Sequence, residues 1–217
     1  MQNNVHLTLS NIIKNQDSVL GLVELFQKQI LLGFNVETKL LDNTIYKYPL
    51  NTIHHSLIDF LPAVEFNKII ETEYFQLRHR DLIEKIILEI ERKDCIKDKT
   101  IIIKSIYKNE KSVAVEAFPS QDILKFASDI AVSVKTGDGF PKVKGLPPEK
   151  PEKFAINIIR FFRQLSVREN QVLDERVSEL TKGLEKKPIE FELKKLSLVV
   201  SDDYLSNPNP EIKNFNI

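Results

Sequence analysis

The stretch Ile53-His54-His55-Ser56-Leu57-Ile58-Asp59-Phe60 narrows most what this chain can become. It reads as a β-strand. Side chains alternate across a strand, so His54 and Ser56, two residues apart, share one face, where an imidazole and a hydroxyl can both touch a phosphate. Lys153-Phe-Ala-Ile-Asn-Ile-Ile-Arg-Phe-Phe162 repeats the pattern, with Ala155 in the place of the imidazole and Asn157 in the place of the hydroxyl. The question of function turns on that difference.

Around these two strands the chain alternates strand and helix patterns. Val5–Ser10 alternates apolar and polar residues, and Val19, Leu22, Val23, Phe26 and Ile30 then recur at helical spacing until Gly33. Phe34–Leu41 predicts a second strand, and Pro49 with Asn51 breaks the run before Ile53. After Pro62 the sequence predicts a short irregular or helical piece, then an amphipathic helix from Glu73 to Lys93. Thr100–Tyr107 and Ser112–Phe118 flank Lys108-Asn-Glu-Lys111 as a β-hairpin, and Ser120 with Asp122 caps a helix to Val134. Residues 135–152 carry glycines and prolines that exclude a continuous helix or central strand, which makes them a long exposed loop, either a lid or a surface excursion. A helix from Glu169 to Leu184 follows, then an alternating run Ile189–Val200 with a local shift in phase. Residues 1–203 are expected to form a single domain, and 204–217 a C-terminal tail.

Composition excludes several partners. Of 217 residues, 42% are hydrophobic and 29% charged, enough for one sizeable core or two small lobes that share a cleft. Lysine plus arginine and aspartate plus glutamate both number 31, so a broad basic surface for nucleic acid is not expected, although a local basic groove is compatible. Cys95 is the single cysteine, expected as a partly buried apolar thiol in a reducing compartment. The N-terminus lacks a cationic region followed by an apolar run, and no long uncharged apolar stretch occurs, so a cytoplasmic protein without membrane contact is expected.

No glycine-rich phosphate loop, HExxH or GxSxG pattern is present, and the four histidines, His6, His54, His55 and His79, have no metal-ligand spacing. No metal and no cofactor is therefore expected. What remains is the order strand, helix, strand with His-x-Ser-Leu, helix, hairpin, helix, strand with Asn157, helix, strand. In this order and in these motifs the chain resembles the two-histidine (2H) phosphoesterase superfamily, which contains 2′-5′ RNA ligase-like proteins and cyclic nucleotide phosphodiesterases.

The resemblance covers Val5 to Val200. It implies an α+β fold of two β-α lobes with antiparallel sheets around a central cleft, related by a pseudo-twofold axis, with the two motif strands side by side at its floor. By position, His54 matches the first catalytic imidazole and Ser56 its phosphate-binding hydroxyl, while His55 points into the body. Ala155 stands where the second catalytic histidine is expected, and Asn157 stands for the second hydroxyl. The family's metal-free reaction uses one imidazole to withdraw a proton and the other to protonate the leaving oxygen, and loss of one typically costs on the order of 10²–10⁴ in rate.

The implied activity is a phosphodiesterase acting on a cyclic nucleotide, a 2′-5′-linked oligonucleotide or an RNA terminus, weak or silent as written. Two histories fit Ala155: an engineered replacement of a catalytic histidine, or a natural pseudoenzyme that binds a nucleotide or RNA end without cutting it. A protein-interaction module is the third reading.

Other residues compete for roles. His6-Leu7-Thr8-Leu9 spells the first motif more faithfully than His54 does, but lies on the first strand, before any helix. Arg160, an odd number of residues after Asn157, is expected on the opposite face. Arg78-His79-Arg80 could meet a phosphate at a helix start. Tyr46, Tyr48 and Tyr107 could stack on a base, and Lys142, Lys144 and Lys150 could close over an anion.

Overall fold

A computed structural model describes residues 3–13, 17–32, 45–66, 79–135, 153–202 and 211–217. Strand β1 (Asn3–Ile12) runs down the middle of a four-stranded antiparallel sheet, between β3 (His54–Phe66) and β8 (Lys195–Asp202), with β9 (Glu211–Asn216) on the far edge. A second antiparallel sheet has the order β2 (Ile45–Lys47), β6 (Phe154–Phe161), β5 (Ser112–Pro119), β4 (Thr100–Lys108), β7 (Ile189–Glu192). The architecture is α+β with two antiparallel sheets, as the family resemblance implies.

The helices bury one stripe each, at positions three and four apart. In α1 (Asp17–Leu32) the stripe is Val19, Val23, Phe26 and Ile30, with Gln27 buried among them. In α2 (Arg80–Glu91) it is Leu82, Ile83, Ile86 and Ile90. In α3 (Gln121–Lys135) it includes Ile123, Ala127, Ile130 and Val134. Helix α4 (Val167–Lys186) buries only Leu173 and Leu184 fully, and it begins with a capping box in which Ser166 accepts from the Glu169 N–H while the Glu169 carboxylate accepts from the Ser166 N–H.

Several expectations need correction. Strand β3 runs through Pro62 to Phe66, which a sheet edge tolerates because proline's missing N–H can face outward there. The run Ile189–Val200 is two strands: the phase shift at Leu193-Lys194 is where the chain leaves one sheet and enters the other. Residues 211–216, expected as part of a tail, form β9, whose Phe215 is buried beside its partner Leu196. Cys95 is exposed in the connection between α2 and β4, where Lys93 and Asp94 lead the chain outward. The strand expected at Phe34–Leu41 and nearly all of the 135–152 loop lie outside the described residues. Among the described residues no helix is long and apolar enough to cross a membrane.

Candidate functional site

His55 and Phe154 bring the two motif strands together. Strands β3 and β6 belong to different sheets, and β3 packs against β6 with the His55 ring stacked on that of Phe154, centroids 5.1 Å apart and planes 12° apart. His55 is fully buried, as its position predicts. Its Nε2 accepts from the Asn11 side-chain amide at 3.1 Å, and its Nδ1, buried, has no partner. Burial, and then the neighbouring His54, hold its pKa down from 6.5 to about 3, so the ring is neutral at physiological pH. Because side chains alternate, residues 54 and 56 on β3 and 155 and 157 on β6 turn away from this seam, to its open side.

His54 is half-buried and its Nδ1 lies 2.8 Å from the Thr52 carbonyl oxygen. Nδ1–H donates to that carbonyl, which in the neutral ring leaves the lone pair on Nε2. Ser56 lies directly across from Ser10 of β1, with 3.4 Å between the hydroxyl oxygens. The proton inventory gives this row a direction. Thr8 donates to the Ile58 carbonyl oxygen at 3.0 Å, so at the 3.1 Å contact with Ser10 it is the acceptor and Ser10 the donor. The Ser56 hydrogen is then held by the weakest contact of the three and is the one most readily turned to a ligand oxygen.

Both strands carry a β-bulge in the same place. On β3, Ser56 pairs with Ser10 and Ile58 with Leu9, so Leu57 is the extra residue. On β6, Asn157 pairs with Ala114 and Ile159 with Val113, so Ile158 is the extra residue. Leu57 follows His54 by three positions and Ile158 follows Ala155 by three. Bulges are concentrated next to binding sites because they re-aim side chains.

The β6 bulge overturns one expectation. With one residue inserted, Arg160 pairs with Ser112 and returns to the face of Asn157 instead of the opposite one. Asn157, Arg160, Tyr48, Tyr107 and the hairpin turn Asn109–Ser112 together line a cleft of about 500 Å³. Tyr46 packs edge-on against Tyr48, with centroids 5.0 Å apart, and is not part of the lining. The Asn109 side chain is committed to the turn, accepting from the N–H groups of Lys111 and Ser112 at 2.8 Å.

Ala155 is exposed, and directly across from it on β5 stands Glu116. Glu116 accepts from Lys153 Nζ and, at 2.5 Å, from Ser105 Oγ. Burial alone would raise its pKa; the two hydrogen bonds and the lysine charge outweigh that and hold it below the usual carboxylate value. Sequence reasoning missed this pair because its members lie on different strands.

Of the other candidates, Thr8 is buried and committed to the sheet interior. Arg80 is ion-paired with Glu84 at 2.7 Å on the surface of α2. Arg78, Lys142, Lys144 and Lys150 lie outside the described residues. No group of three or more metal-ligating side chains occurs among the described residues.

No family model and no curated protein sequence matches this chain. Its fold is similar to that of TT0787 of Thermus thermophilus, with 13% identity, 97% of each chain covered and a TM-score of 0.52. It is similar as well to ATU0111, a conserved protein of unknown function from Agrobacterium tumefaciens str. C58, with 8% identity, 94% of this chain and 81% of that one covered, and a TM-score of 0.52. Usb1 of Kluyveromyces marxianus, solved with uridine monophosphate, aligns at 10% identity over 98% of this chain and 96% of that one, with a TM-score of 0.46. At these identities the likeness is one of fold alone.

Proposed function

We propose that this chain holds a nucleotide phosphate, in a cyclic nucleotide, a 2′-5′-linked oligonucleotide or an RNA end, on the open side of β3 and β6, and that its phosphodiesterase chemistry is impaired at residue 155. The observation that carries the reading is the pair of bulged strands, which present His54 with Ser56 and Ala155 with Asn157 at equivalent positions. Ser56 and Asn157 donate to phosphate oxygens, and Arg160, re-aimed by the bulge, adds a cation beside Asn157.

In the reaction, His54 Nε2 takes the proton of the attacking hydroxyl as that oxygen bonds to phosphorus, and Nδ1 stays anchored on Thr52. The leaving oxygen must gain a proton as its bond to phosphorus breaks. An imidazole at 155 would supply it; with Ala155 the proton comes from water, and the rate falls by on the order of 10²–10⁴.

The methyl side chain of Ala155 favours a second reading as well, a module that binds a nucleotide or RNA end and releases it uncut. Restoring histidine at 155 and assaying 2′,3′-cyclic, 3′,5′-cyclic and 2′-5′-linked nucleotides separates the two. Turnover well above the parent chain supports the enzyme, and binding without turnover in both forms supports the module.

A further inference from the structure

We propose that Lys153, oriented by Glu116, is the phosphate-binding cation at the place where Ala155 leaves no imidazole. The assignment rests on the reading of the cleft given above. Residues 155 and 157 alternate with the buried Phe154 and Ile156 and belong to the open face of β6, and Lys153, in the bend just before the strand, reaches that face through its ion pair with Glu116. Glu116 is opposite Ala155 in the β5–β6 ladder, and side chains so paired stand with Cβ atoms about 5 Å apart. The ion pair from Lys153 to Glu116 therefore spans the side of Ala155, and the alanine methyl does not obstruct it.

The two partners differ in exposure in a way that separates their roles. Glu116 is 13% exposed and its second oxygen is tied down by Ser105, so the carboxylate is fixed. Lys153 is 55% exposed, so its ammonium reaches solvent and any ligand there. Because Glu116 is largely buried, removal of the lysine charge also touches stability, so binding and folding are read separately. The placement of Lys153 next to residue 155 serves an incoming anion: a phosphate between His54 of β3 and the open face of β6 meets a positive charge on each flank whenever His54 is protonated. An ammonium gives up its proton at neutral pH far less readily than an imidazolium, so Lys153 holds the phosphate without taking over the missing proton transfer. The ligand class is a nucleotide carrying a phosphate monoester or diester.

Titration calorimetry with adenosine and uridine 3′-monophosphates, and with the two nucleosides as phosphate-free controls, tests this. Lys153→Met, which keeps the apolar stem, is expected to weaken nucleotide binding about tenfold or more, as for a lost charge-assisted hydrogen bond. Lys153→Arg should keep most of the affinity, and Glu116→Gln should lose part of it, each measured well below the melting temperature of the variant. Unchanged nucleotide affinity in Lys153→Met, with the parent chain binding, would overturn this assignment alone. No nucleotide binding by the parent chain would sink the reading of the cleft and the assignment with it.

Discussion

Gln27 of α1 donates to the carbonyl oxygen of Ile158, the bulged residue of β6, at 2.9 Å, and the same Nε2 donates to the Tyr48 carbonyl oxygen at 2.8 Å. Ile158 O also accepts from the Tyr48 N–H at 3.2 Å. A fully buried helix side chain thus holds the irregularity that puts Asn157 and Arg160 on one face. Gln27→Leu removes one donor from each of two carbonyls, of which that of Ile158 keeps the Tyr48 N–H, and is expected to cost about 1–3 kcal/mol, read from urea unfolding. Nucleotide affinity should fall with it, and Gln27→Leu binding as tightly as the parent chain would show that the bulge is held without the amide.

Arg160→Ala is expected to weaken binding of mononucleotides by about tenfold or more, with little effect on nucleosides, because a guanidinium contributes through the phosphate. A parallel loss for both ligands would place Arg160 against the base or sugar instead.

Ala155→His is expected to raise turnover of at least one cyclic or 2′-5′-linked nucleotide by about 10²–10⁴. In that background His54→Ala should remove the gain, whereas His6→Ala should leave it intact. If His6→Ala abolishes it and His54→Ala does not, the first motif is His6-Leu7-Thr8 on β1.

The buried His55 makes stability depend on acidity. Its folded-state pKa of about 3 lies below the ordinary 6.5, so unfolding takes up a proton between these values. The contribution is fully present above 6.5 and is lost as pH falls toward 3, by about 1.4 kcal/mol per pH unit within the window. Urea titrations at pH 7 and pH 5 should show this loss in the parent chain and a smaller one in His55→Phe. Equal losses would mean that the native ring is protonated already at pH 5.

Phe215→Ala, at the outer edge of the first sheet, is expected to destabilise by about 3 kcal/mol, at the low end for a buried aromatic because an edge site relaxes. A change within about 0.5 kcal/mol would return residues 211–216 to the status of a tail.

The bounds of the β4–β5 hairpin, helix α3 and strand β6 are legible in the sequence and lie within a few residues of expectation. The bulges are not. Leu57 and Ile158 are ordinary strand aliphatics, and only cross-strand pairing decides that one residue is skipped. Arg160 was lost for that reason. Gln27 does leave a signal, a polar residue inside the apolar stripe between Phe26 and Ile30, and Ser166-x-x-Glu169 spells the cap of α4 three residues ahead of the expected start at Glu169. Strand β9 was hidden because its short alternation follows Asn207-Pro-Asn-Pro, which reads as the end of order.

The passage from β7 to β8 has a mechanical consequence. Two residues carry the chain from one sheet into the other, and Leu193 is fully buried there, its N–H bonded to the Lys99 carbonyl oxygen at 2.8 Å. A tether this short lets neither sheet swing away from the other without tearing Leu193 from its site, and the His55–Phe154 stack resists the same displacement from the side of β3. The floor beneath a ligand is therefore stiff, and little binding energy is lost in shaping it.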